Sequence, residues 1–140
     1  MVFYKLFLTL FFLITVVNAD DKFDEDQIVI MLYEYFISEK GPTLLGHRFY
    51  ETKKNIIIQL EIEQNEHSTN NSLLFGFKAM SLITNISQKE FNLGVLVIHS
   101  KSSVTPVIAE TDIKCAQKFF LKSQIGEKKW RKNCLTVKHN

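Results

Sequence analysis

Two stretches of this chain decide what it can fold into. In "IIIQLEIE", residues 56 to 63, Ile56, Ile58, Leu60 and Ile62 alternate with Ile57, Gln59, Glu61 and Glu63. In "LGVLVIHS", residues 93 to 100, the run is apolar almost throughout and rich in Val and Ile. Alternation marks a strand with one wet face, whereas an unbroken apolar run marks a central strand buried on both sides. A chain with one of each has to build a sheet and cover its middle with helices.

The helices are signalled around those strands. Asp24 and Gln27 make a capping-box pattern, and Phe23 and Ile28 stand where a hydrophobic staple needs them. Ile28, Met31, Leu32, Tyr35 and Phe36 then follow helical spacing. Gly41 is placed to take a left-handed terminating position, and Pro42 stops the helix. Leu44 to Tyr50 reads as a strand, joined to the alternating one through "ETKKN". "QNEHSTNNS", residues 64 to 72, is the most polar stretch and reads as a mobile loop. Leu73 to Ile86 reads as a buried helix, weakened at Gly76.

After the central strand, "KSSV" turns and "TPVIAE" forms another strand. Pro106 cannot donate to a ladder, so this strand lies at an edge or begins at the proline. Thr111 or Asp112 caps a third helix running to about Ser123, with Ile113, Ala116 and Phe120 inward. Gly126 ends that element, and the segment after it is irregular or a short strand through "CLTV". The expected fold is α+β, a mostly antiparallel sheet with helices on one face, in the order α-β-β-α-β-β-α.

The first nineteen residues read as a signal peptide. Lys5 precedes an apolar run from Leu6 to Val17, and Val17-Asn18-Ala19 suits a cleavage site. The run is short for a membrane span and acids come directly after it. Residues 20 to 140 are then one exported domain, periplasmic or extracellular, with no transmembrane segment. Two cysteines in an exported chain imply one disulfide, Cys115 to Cys134.

Charge is distributed unevenly. Residues 20 to 39 hold seven acids and one Lys, while residues 112 to 140 hold eight Lys or Arg against Asp112 and Glu127. Lys114, Lys118 and Lys122 recur at i, i+4 and i+8. Lys128, Lys129, Arg131 and Lys132 flank Trp130, the chain's only tryptophan. The disulfide would tether this second cluster beside the lysine ridge, with Trp130 as a surface anchor. An exported domain with little net charge is a poor nucleic-acid binder. The basic end instead suits another protein or an anionic surface.

Chemistry-bearing motifs are missing. The chain has no G-x-S-x-G, H-E-x-x-H, Walker loop or G-x-G-x-x-G. His47, His67, His99 and His139 lie far apart and match no metal-ligand spacing, so neither metal nor cofactor is expected. His99 ends the central strand beside Ser100, Ser102 and Ser103, and Glu61, Glu63 and Glu66 cluster on or after the alternating strand. Both groups read first as wet strand positions rather than as a catalytic set. Two glycosylation sequons, at Asn70 and Asn85, matter only in a host that glycosylates exported proteins.

The expected function is a non-enzymatic protein-binding domain, such as an envelope-assembly component, an inhibitor or a secreted effector, using the basic C-terminal patch. The alternatives are a carrier of small hydrophobic ligands and a hydrolase centred on His99.

Overall fold

The computed structural model describes residues 22–138; the leader expected at residues 1 to 19 and His139 lie outside them. The chain runs α1 (Glu25–Ser38), β1 (Thr43–Glu51), β2 (Ile56–Glu63), α2 (Thr69–Ile86), β3 (Leu93–Ser100), β4 (Ser103–Asp112), α3 (Ile113–Phe120), α4 (Glu127–Asn133) and β5 (Leu135–Lys138). The five strands form one sheet in sequence order. Every neighbouring pair is antiparallel except β2 and β3, which α2 connects as a parallel crossover. The fold is α+β, with the element order read from the sequence and a further helix and strand at its end.

Register explains the two strand patterns. Ile58, Leu60 and Ile62 on β2 align with Gly94, Leu96 and Ile98 on β3, and with Thr111, Ala109 and Val107 on β4. These residues face the helices and join the core with Ile28, Leu32, Phe36, Phe77, Met80 and Ile113. Gln59, Glu61 and Glu63 point the other way, as the alternation requires. β3 is the middle strand and is largely buried, with Val95 on the face opposite the helices also covered.

Two glycines set the helix–sheet spacing. A Cβ on Gly76 would stand 2.7 Å from Cδ2 of Leu96, and one on Gly94 would stand 2.7 Å from Sδ of Met80. Gly76 therefore lets α2 lie close on β3, although glycine costs that helix about 1 kcal/mol relative to Ala.

The capping box is formed: the Gln27 N–H donates to Asp24 Oδ1 at 2.9 Å, and the Asp24 N–H donates to Gln27 Oε1 at 3.0 Å. Lys89 bridges Glu25 and Glu51, which ties α1 to the β1–β2 hairpin.

Several local expectations are corrected. The left-handed residue after α1 is Lys40, with φ 53°, and not Gly41. The Gly41 N–H reaches back to Phe36 O and that of Lys40 to Ile37 O, a Schellman ending displaced by one residue. Glycine is needed at 41 because the Phe75 ring occupies the space of a Cβ. The polar stretch is not wholly loop: α2 starts at Thr69, because the Ser68 hydroxyl accepts from the Asn71 N–H. Gly126 does not close α3 but is the N-cap of α4, so the "EKKWRKN" segment is helical. The short strand through "LTV" is present as β5.

Pro106 lies inside β4. β5 pairs with β4 only from Ile108 to Thr111, so Pro106 sits where β4 is a sheet edge. Between the pairs Ile98–Val107 and Ser100–Ser103, β4 bulges around Val104-Thr105-Pro106.

Candidate functional site: a lysine face on two stapled helices

α3 and α4 are short, eight and seven residues. Helices of that length do not persist alone, so tertiary contacts hold them. Asp112 caps α3 by accepting from the Cys115 N–H at 2.8 Å. Cys115 is disulfide-bonded to Cys134, which comes directly after α4, with their Cα atoms 6.3 Å apart. This linkage is the one read from the cysteine pair.

Trp130 is the other fastening. Its side chain is 0% exposed. The indole stacks on Phe119 at a centroid distance of 5.4 Å and meets Phe120 and Phe77 edge-on at 5.0 and 5.8 Å. Its Nε1–H donates to Thr111 Oγ1 at 2.9 Å, which satisfies the one polar atom a buried indole carries. The expectation of Trp130 as a surface anchor is therefore corrected. It belongs to the core, because three phenylalanine rings and a buried hydroxyl make a site that only an indole pointing inward can fill.

With Trp130 turned inward, helical geometry sets Lys128 and Lys132 on the opposite side of α4, two residues either way. Both are exposed, as is Lys129. On α3, Ile113 and Ala116 are buried, while Lys114, Lys118 and the following Lys122 are exposed. Among the described residues, none of these six lysines makes an ion pair.

Arg131 differs from them. Its Nε donates to Glu127 Oε2 at 3.2 Å, its Nη2 donates to Asn70 Oδ1 at 2.6 Å, and its guanidinium lies 5.9 Å from the Trp130 ring. It joins α4 to the first turn of α2. The structure thus leaves six of the eight proposed contact residues outward and commits Trp130 and Arg131 to holding the helices.

Both sequon asparagines lie in α2, and Ser87, which completes the second sequon, is the C-cap of that helix. The Asn70 side chain is occupied by Arg131, and the hydroxyl of Ser72, which completes that sequon, is buried. Asn85 is exposed in the last turn, and its backbone carbonyl accepts from Lys22 Nζ.

The histidine and carboxylate groups sit elsewhere. His99 Nε2 and Glu61 Oε1 form a hydrogen-bonded pair on the sheet face away from the helices, with the His99 side chain 32% exposed. Ser100 and Ser102 bond to each other and not to His99. Among the described residues no hydroxyl or thiol is hydrogen-bonded to His99, whereas an acyl-transfer site pairs its base with a nucleophile. Glu63 aligns with His99 in the register, and its Oε1 is buried with no hydrogen-bond partner among the described residues. Among the described residues no group of three His, Cys, Asp or Glu side chains has metal-binding geometry. An open depression of about 450 Å³ is lined by Asn65, Glu66, His67 and Lys101. Another, about 470 Å³, is lined by Asp24, Glu25, Asp26, Gln88 and Lys89. Both walls are polar or charged.

One positioning residue was missed in the sequence. Asn92 Oδ1 accepts from the Ile56 N–H at 2.6 Å, its Nδ2 donates to Asn55 Oδ1, and its carbonyl accepts from the Ile113 N–H. It fixes the starts of β2, β3 and α3 together. An Asn before a strand looks like ordinary turn chemistry, and no local signal separates the two.

No described helix is long and apolar enough to cross a membrane. Comparison with known protein families, with curated proteins and with solved structures finds no match for this chain.

Proposed function

We propose that this chain is a non-enzymatic, exported binding domain whose lysine face on α3 and α4 docks an acidic partner protein. The observation that carries this reading is a set of six exposed lysines that make no ion pair among the described residues, five on two helices fixed by a disulfide and a buried tryptophan and Lys122 just after the first of them. Fixing the helices removes part of the ordering cost that a flexible basic tail would meet on binding. Like charges held side by side destabilise the free protein slightly, and an acidic partner relieves that.

A protein surface suits this face better than a lipid bilayer. The large apolar side chains exposed in the described structure are Ile30, Ile37, Leu45 and Val104, and none lies on α3 or α4. Membrane-surface helices combine basic and apolar anchors. The disulfide supports an oxidising compartment, which accords with the leader read at residues 1 to 19.

The test is a comparison of captured partners. Immobilised wild-type protein and a Lys118→Glu, Lys128→Glu, Lys132→Glu variant are exposed to extract from the source cells, at low and raised salt. Loss of the captured species in the variant, and elution by salt from the wild type, is the expected result. Equal capture by both proteins removes the lysine face from the account.

A further inference from the structure

The opposite edge of the sheet carries a second surface. Among the described residues, β1 pairs with β2 on one side only, so its other side offers unpaired backbone N–H and C=O groups. Edge strands are usually blunted by lysine, proline or short length. β1 has nine residues and neither Lys nor Pro; of its charged side chains, Arg48 lies over the Tyr50 ring and Glu51 pairs with Lys89. Its one irregularity, between Leu44 and Gly46, leaves Gly46 to Glu51 as regular strand.

Apolar side chains gather around this edge. Ile30 is 60% exposed and Ile37 78% on α1, and Leu45 is 53% exposed on β1. Ile30 and Ile37 are seven residues apart and so lie on one stripe of α1, together with Tyr33. The Tyr33 hydroxyl and His47 Nδ1 of β1 are 3.1 Å apart, with the two rings edge-on. That stripe therefore lies on the β1 side of the helix.

The charges at the two ends of the edge are complementary. The turn after β1 presents Lys53 and Lys54, and the helix before it presents Glu34 and Glu39 beside Lys40, all exposed. Among the described residues, Lys53, Lys54, Glu34 and Glu39 make no ion pair. An antiparallel strand with the same sequence would bring its own Lys53 and Lys54 beside Glu39 of the first copy, and the reverse contact would form at the other end. A two-fold interface needs a patch that complements itself in this way.

We propose that a second copy of this chain docks on β1, pairing Gly46 to Glu51 of the two copies antiparallel across a two-fold axis. The two sheets would become continuous, and Ile30, Ile37 and Leu45 would be covered beside the new strand pair. The lysine faces remain free, so this interface stands independently of the proposed function.

Sedimentation velocity on protein purified after expression of the full sequence tests it, over a dilution series. The expected result is a dimer whose mass falls to that of a monomer in Ile37→Glu, Leu45→Glu protein with unchanged circular dichroism. A Lys53→Glu, Lys54→Glu variant and a Glu34→Lys, Glu39→Lys variant are each expected to be monomeric. Mixed together, they should form a heterodimer, because both end contacts become opposite in sign again. A monomeric wild type at every concentration overturns the proposal. So does a dimer that survives Ile37→Glu, Leu45→Glu, or a mixture of the charge variants that stays monomeric.

Discussion

The two charged ends of this molecule are built differently. At the acidic end, α1 has fourteen residues, its own capping box and a Schellman ending, so its boundaries are set by adjacent residues. At the basic end, α3 and α4 are about half that length, and α4 begins at Gly126 with no side-chain cap. Beyond the Asp112 cap of α3, their fastenings are remote: Trp130 on Thr111, Cys134 on Cys115, and Arg131 on Asn70. Some acids of α1 have structural work, Asp24 as a cap and Glu25 on Lys89. Among the described residues, the five lysines of α3 and α4 and Lys122 just after α3 make no ion pair. Charge that the fold already uses says little about function, whereas charge held out at the expense of separate fastenings is what the proposed docking role draws on.

That contrast can be broken first at Trp130. Trp130→Ala should cost about 3–5 kcal/mol, the range for large-to-small changes at buried aromatics, and should leave the Thr111 hydroxyl with only its bond to the Asp112 carbonyl. Urea unfolding followed by circular dichroism measures it. A loss below about 1 kcal/mol would mean that α4 is not held by its tryptophan.

The disulfide comes next. Cys115→Ser with Cys134→Ser should destabilise by about 3 kcal/mol on the chain-entropy view of a loop this size. The loss should be read as faster amide exchange in α4 and β5 than in α1. Uniform loosening of both ends would erase the distinction between them.

Gly76→Ala tests the spacing of the shared core. Its Cβ would lie 2.7 Å from Leu96. The helix-propensity gain of about 1 kcal/mol should therefore be outweighed by an overpacking cost of about 1–3 kcal/mol. A more stable variant in the same unfolding measurement would show that α2 can lift off β3 freely.

At the acidic end, Asp24→Ala should cost about 1 kcal/mol, the usual value for an N-cap. The smallest effect is expected at Lys89. Its ammonium is held above the ordinary lysine pKa, first by the hydrogen bond to Glu25, then by Glu51 and the charges of both, against some desolvation. A raised lysine pKa means that the bridge contributes fully below the ordinary value and fades only as pH climbs through the folded one. Lys89→Met should therefore speed exchange in the first turn of α1 at neutral pH, and that difference from the wild type should shrink in strong alkali.

The difference between the ends also sets how far the sequence could be read. The start of α1, the two hairpin strands, the central β3 and the Asp112 cap are legible because caps, alternation and apolar runs are local. The parallel pairing of β2 with β3 is not local, since it depends on α2 crossing over the sheet. α4 was illegible for a similar reason. One tryptophan among lysines has no period, and its partners Phe77 and Thr111 are distant in sequence. The pattern that suggested a surface anchor is the one that a short helix shows when its single apolar residue is the inward one. The cysteine pair was readable because the chain has only two.

The central claim is that the lysine face binds while the fold beneath it stands without it. Binding of the wild type and of the Lys118→Glu, Lys128→Glu, Lys132→Glu variant to polyglutamate, an acidic probe without a fold of its own, tests this by isothermal titration at several salt concentrations. The account predicts salt-sensitive binding by the wild type, none by the variant, and unfolding free energies within about 0.5 kcal/mol of each other. Equal binding by the two proteins, or none by the wild type at low salt, would contradict it.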